Sequence, residues 1–149
     1  MFILAIMARS STFFVDRSMN IGTAARAAGV SAKMIRHYET VGLLPAAMRT
    51  DAGYRLYSAQ DVQILTFIRH ARDLGFSLPQ IGELLGLWRN RRRASRTVKA
   101  LALSHVQELE RKIVSLRAMQ ASLQHLADHC HGDERPDCPI LDGLAGEDA

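Results

Sequence analysis

The sequence predicts a mainly α-helical fold: a winged helix-turn-helix module, one long helix, and a short C-terminal loop closed by a short helix. Three observations predict it. Residues 21–39 carry apolar residues at helical spacing, broken at Gly29. Residues 49–57 hold a turn followed by a short strand, with arginines and tyrosines interleaved. Residues 95–128 contain neither proline nor glycine and repeat apolar residues at spacings of three and four.

The 149-residue chain is 48% hydrophobic and 23% charged, an ordinary globular composition. No apolar run approaches the roughly 20 residues of a membrane helix, so no membrane partner is expected. Two cysteines and six methionines fit a reducing cytosol, which predicts a cytoplasmic protein. Charge is unevenly spread. Residues 1–99 hold 15 Lys+Arg against 6 Asp+Glu, a balance of +9. Residues 100–149 hold 4 against 9, a balance of −5. A basic front half points to a polyanion-binding module, with a different task behind it.

Residues 1–18 look unlike the rest. Phe2 to Met7 is apolar but too short for a signal segment, and no basic stretch precedes it. These residues are expected to be a leader outside the fold, with Met19 as the natural start.

Ile21 to Ala28 is alanine-rich and reads as a helix that Gly29 stops. Ser31 can cap a second helix running to about Glu39. Val30, Met34, Ile35 and Tyr38 fall on one face, the side predicted to be buried. Two short helices around a glycine turn make a helix-turn-helix candidate. Gly42 to Pro45 breaks the helical pattern. The turn Asp51-Ala52-Gly53 and the strand Tyr54-Arg55-Leu56-Tyr57 then form a wing. Arg49, Tyr54, Arg55 and Tyr57 supply guanidinium forks and phenol hydroxyls, the groups a phosphate backbone attracts.

Ser58 opens a third helix, with Asp61 at the capping-box position. Val62, Leu65, Ile68 and Ala71 form its stripe, and Gly75 ends it. Ser77 opens a fourth, with Gln80 at the box position and Ile81, Leu84, Leu85 and Trp88 as its buried side. The module therefore spans residues 19–88, and residues 89–94 form a basic linker containing four arginines.

Residues 95–128 read as one helix about 50 Å long at ~1.5 Å per residue. Val106, Leu109, Ile113, Leu116, Gln120, Leu123 and Ala127 form a heptad seam. Such a helix needs a partner, and the chain offers no second long helix, so a homodimer is predicted. Residues 129–149 hold both cysteines, Cys130 and Cys138, on one loop with Gly132 and Pro136 between them. Pro139 suits the first turn of a closing helix. Three chemistries remain open for this loop. One is a disulfide, which a reducing compartment disfavours. One is a four-ligand zinc site drawing on His125, His129 or His131. One is a two-coordinate site for a soft monovalent ion, which needs only two thiolates. A bound M⁺ between two thiolates leaves one negative charge, and a helix N-terminus would offset it. Ser95 is the expected cap at the start of the long helix, and a partner's helix could bring that end beside the loop.

From Met19 to about Leu144 the chain resembles the MerR family of metal-responsive transcription regulators, and within it the copper-efflux regulators of the CueR and HmrR type. The resemblance lies in Ile21-Gly22, in Ser31-Ala32-Lys33-Met34-Ile35-Arg36-His37-Tyr38-Glu39, and in Gly42-Leu43-Leu44-Pro45. It continues through Gly53-Tyr54-Arg55-Leu56-Tyr57, Ala71-Arg72-Asp73-Leu74-Gly75-Phe76 and Asp137-Cys138-Pro139-Ile140-Leu141. It implies a dimer joined by an antiparallel coiled coil of the long helices. It implies binding to a double-stranded promoter whose spacer is overlong, with RNA polymerase reached indirectly through DNA distortion. Carried over by position, Lys33, Arg36 and Tyr38 would meet the groove and phosphates, and Arg49, Tyr54, Arg55, Tyr57 and Arg72 the backbone. His37 stands where the family often has Tyr or Phe, so it is a weaker contact. Cys130 and Cys138 would hold the metal. Ser95 stands where mercury- and zinc-responsive relatives carry a ligand cysteine, which implies Cu(I), with Ag(I) and Au(I) possible, over a divalent ion.

The remaining function classes fare worse. A multidrug sensor would need a larger ligand domain after residue 128. A metal carrier would not need the wing. No nucleophile–base pair, paired carboxylates or phosphate loop points to an enzyme.

Overall fold

The computed structural model describes residues 19–146. The expected leader, residues 1–18, lies outside the described residues, as do the last three. The chain divides into two compact units, with the boundary between Arg93 and Ala94.

The first unit begins with α1 (Ile21–Ala28) and α2 (Ala32–Thr40). Asn20 caps α1 by accepting from the Thr23 amide at 2.8 Å. Gly29 ends α1 at φ +69°, a left-handed conformation that a side chain would strain. Ser31 then caps α2 through the Met34 amide. The wing pairs β1 (Met48–Arg49) antiparallel with β2 (Arg55–Leu56), with Met48 opposite Leu56 and Arg49 opposite Arg55. Tyr57 continues beyond β2 into a two-bond backbone bridge with Met19, which ties the start of the unit to the wing.

Helix α3 (Ala59–Asp73) starts with the Ser58/Asp61 capping box, and α4 (Leu78–Arg89) with the Ser77/Gln80 box. Both boxes are closed in each direction, so two orphan amides are satisfied at each helix start. Helix α3 packs against α1 on one side and α4 on the other. Its buried face is accordingly wider than a single stripe: Ile64 joins Leu65, Ile68 and Ala71 in the core, while Val62 is only half-buried. Ala24 and Ala28 are fully covered, because small side chains let α1 approach α3 closely. Ile35, Leu44, Tyr57 and Ile81 complete the centre.

Trp88 corrects the sequence expectation. It is 42% exposed and stacks on Phe67 with ring centroids 5.0 Å apart and planes 15° from parallel. It lies beyond Leu85, the last buried residue of α4, so its ring covers the edge of the core instead of entering it. Leu84 is half-buried.

The second unit is α5 (Ser95–Asp128) and α6 (Pro139–Ala145), packed on each other. Gly143 faces Leu126 across that packing: a Cβ there would stand 2.9 Å from Leu126 Cδ2, so a larger residue would make the leucine side chain shift. Ser95 is not the cap of α5. Ala94 occupies the N-cap position in extended conformation and provides no side-chain bond, while Ser95 is already inside the first turn. Among the described residues no helix is long and apolar enough to cross a membrane.

Candidate nucleic-acid interface and thiol loop

Helix α2 sorts its side chains by face. Ile35 and Tyr38 turn into the core. Lys33, Arg36, His37 and Thr40 are exposed, at the three- and four-residue spacing that makes one stripe. Two cations and an imidazole thus line the outer face of the second helix of a helix-turn-helix, the face such a helix presents to a major groove.

The wing adds a second group. Arg49 and Tyr54 are exposed, Tyr54 at 72%. Thr50 and Tyr54 close the wing turn: the Thr50 amide donates to the Tyr54 carbonyl at 2.8 Å, and the Tyr54 amide to Thr50 Oγ1 at 3.1 Å. Arg49 donates to the Gly53 carbonyl at 3.0 Å, which aligns its side chain along the turn. Arg72 is exposed in the last turn of α3.

Tyr57 is a correction. Tyr38 and Tyr57 are both core residues, with 4% and 0% of their surface exposed. The Tyr38 hydroxyl still reaches solvent, but Tyr57 offers no face to a phosphate. The Tyr57 hydroxyl donates to Glu39 instead. Burial, and then the Glu39 carboxylate, push its ionisation well above the usual tyrosine range, so the phenol stays a neutral donor. Arg36 and Arg55 exert the opposite pull on that phenol, which brings both cations into its neighbourhood.

Glu39 is the residue that sequence reasoning missed. Its side chain is 11% exposed, and its second oxygen accepts from Arg55 Nε at 3.3 Å. The carboxylate therefore joins the end of α2 to the wing strand. Arg55 is half-buried for the same reason: its Nε is held by Glu39. A signal was available, since Glu39 is the only acidic residue between residues 19 and 50.

In the second unit the cysteines lie at the two ends of one loop, both free thiols and both half-buried. Cys130 follows directly on the C-cap of α5, with its amide donating to the Ala127 carbonyl at 3.1 Å. Cys138 is the N-cap residue of α6, and its sulfur makes no cap bond. The loop between them carries its own brace. Arg135 donates from Nε to Asp133 Oδ2 at 2.6 Å and from its amide to Oδ1 at 3.0 Å. That double contact holds the Asp133 carboxyl below the usual range. His131 is exposed, and His129 Nδ1 lies 2.7 Å from the His125 carbonyl oxygen. Among the described residues no three His, Cys, Asp or Glu side chains gather as a cation site. The loop itself carries two soft sulfurs, one at each end.

The comparisons with known proteins agree with this architecture. The model of the MerR HTH family regulatory protein matches residues 19–87, and that of MerR, DNA binding, matches residues 62–126. The chain is 58% identical over 131 residues to heavy metal-dependent transcription regulator 2 of Rhizobium meliloti, covering 88% of this chain and 89% of that one. It is 60% identical over 127 residues to the HTH-type transcriptional regulator HmrR of Sinorhizobium medicae, covering 85% and 86%. Among solved structures it is similar to the transcription regulator PbrR691 of Ralstonia metallidurans in complex with lead(II). That match has a TM-score of 0.71 and 32% identity over 85% of this chain and 98% of that one. These relatives are regulators and not enzymes. The exposed cationic face of α2, the wing beside it and the matches over most of the chain lead to one conclusion: this protein belongs to the MerR family of helix-turn-helix transcription regulators.

Proposed function

We propose that the chain is a cytoplasmic Cu(I)-responsive regulator, open also to Ag(I) and Au(I), that activates copper-efflux promoters by distorting their DNA. The observation that carries the metal assignment is the donor set: Cys130 and Cys138 as free thiols, with no group of three His, Cys, Asp or Glu side chains gathered among the described residues. Ser95 supports it, because a hydroxyl at the start of α5 is too hard to complete a soft-metal shell. The resemblance to copper-efflux regulators and the similarity to HmrR point the same way.

Lys33, Arg36, Tyr38, Arg49, Tyr54, Arg55 and Arg72 are the proposed DNA contacts. The wing and Arg72 hold phosphates, and α2 enters the groove. The seam of α5 supports a homodimer. Val106, Leu109, Ile113, Leu116 and Leu123 are 37–62% exposed along it, an apolar stripe that water disfavours and a second α5 would cover. A dimer of this kind would meet a two-fold operator. If the ion favours the conformation that bends and untwists an overlong spacer, it acts through DNA geometry more than occupancy. Moving such an equilibrium from about 1% to about 99% requires the ion to prefer one state by ~10⁴-fold, about 5.5 kcal/mol.

A divalent-metal sensor on the same frame is the alternative, favoured by the lead complex of the PbrR691 relative. Run-off transcription from an overlong-spacer promoter separates the two. Cu(I) and Ag(I) are expected to raise the transcript while Zn(II) and Pb(II) leave it at the metal-free level. Activation by Zn(II) or Pb(II) in place of Cu(I) would transfer the assignment to the divalent sensor.

A further inference from the structure

We propose that His125 and His129 form a second cation site, a two-imidazole chelate for a borderline divalent ion such as Ni(II) or Cu(II), separate from the thiol pair. The two residues are four apart at the end of α5, so their side chains share one face. Their ring centroids are 4.3 Å apart, with planes tilted by 49°. His129 Nδ1 lies 2.7 Å from the His125 carbonyl oxygen. A carbonyl can only accept, so Nδ1 carries the proton and the lone pair of the neutral ring is on Nε2. An Nδ1–H fixed by a backbone carbonyl is the arrangement that orients an imidazole for metal binding through Nε2.

The surroundings suit a cation. Both rings are exposed, which leaves room for water to fill the other coordination positions. They sit at the C-terminal end of a 34-residue helix, where the backbone carbonyls present partial negative charge. The Asp128 carboxylate lies between them in sequence and is held by Gln124 at 2.8 Å. Imidazole nitrogen is a borderline ligand, whereas the neighbouring thiols are soft, so the two sites select different ions. An ion here would tie the last turn of α5 to the residue that precedes Cys130.

The test uses the full chain with Cys130→Ser and Cys138→Ser together, so that the thiols contribute nothing and a failure of the Cu(I) assignment cannot be mistaken for a failure here. Ni(II) titration is followed by calorimetry, with helix content checked by circular dichroism. One saturable Ni(II) per chain is expected, with Co(II) weaker and Cu(II) tighter. Adding His125→Ala or His129→Ala should lower affinity at least tenfold, and adding His131→Ala should leave it unchanged. The absence of saturable binding, or binding indifferent to both His125 and His129, would overturn the proposal. So would binding that depends on His131.

Discussion

Cys130→Ser is expected to reduce metal-induced transcription to the metal-free level while operator affinity stays at its wild-type value. The reason is ligand count. A two-ligand site that loses one thiolate keeps a single donor, and a serine hydroxyl is neither soft nor ionised at neutral pH. Among the described residues no three His, Cys, Asp or Glu side chains gather into a site that could take its place. The proposed DNA contacts all lie in the unit that ends at Arg93, whereas Cys130 belongs to the unit that begins at Ala94. Transcription and operator binding are read on the same preparation. Induction by Cu(I) that survives the substitution would move the sensing ligands elsewhere.

Arg55→Ala should weaken operator binding at every DNA sequence, because the contact assigned to Arg55 is to phosphate and not to a base. The slope of log affinity against log salt should shrink by about one for each contact removed. A structural cost accompanies it. Arg55 Nε is bonded to Glu39, and losing a hydrogen bond to a charged group costs on the order of 1–3 kcal/mol. Glu39 keeps the Tyr57 hydroxyl, so the wing should remain attached and the cost should fall toward the lower end. Thermal unfolding separates stability from binding, and the salt slope isolates the phosphate contact. An unchanged slope with a lowered melting temperature would reduce Arg55 to a brace between wing and helix.

The elements visible in the sequence are those set by local chemistry. Gly29, Ser31 and the two capping boxes at Ser58 and Ser77 mark helix ends because each satisfies orphan backbone groups within four residues. The uninterrupted heptads of α5 give its length for the same local reason. What escaped is decided by neighbours distant in sequence. A tyrosine that grips phosphate and one that fills a core are the same residue, and only the packing of α2, α3 and the wing buries Tyr57. Glu39 reads as a solvated charge until the wing folds over it, 16 and 18 residues later. Ser95 missed its capping role by one position, the usual uncertainty of a helix boundary. The thiol loop was legible as a loop with a cysteine at each end because the only two cysteines lie eight positions apart.

The claim that rests on that pair is best tested by anaerobic titration of the reduced chain with Cu(I), with Zn(II) in parallel and the ligand shell read by X-ray absorption. The predicted result is one tightly held Cu(I) per chain with two sulfur neighbours and no zinc carrying both sulfurs. A Cu(I) shell of three or more ligands, or a four-coordinate zinc that holds both cysteines more tightly than Cu(I) does, would contradict it.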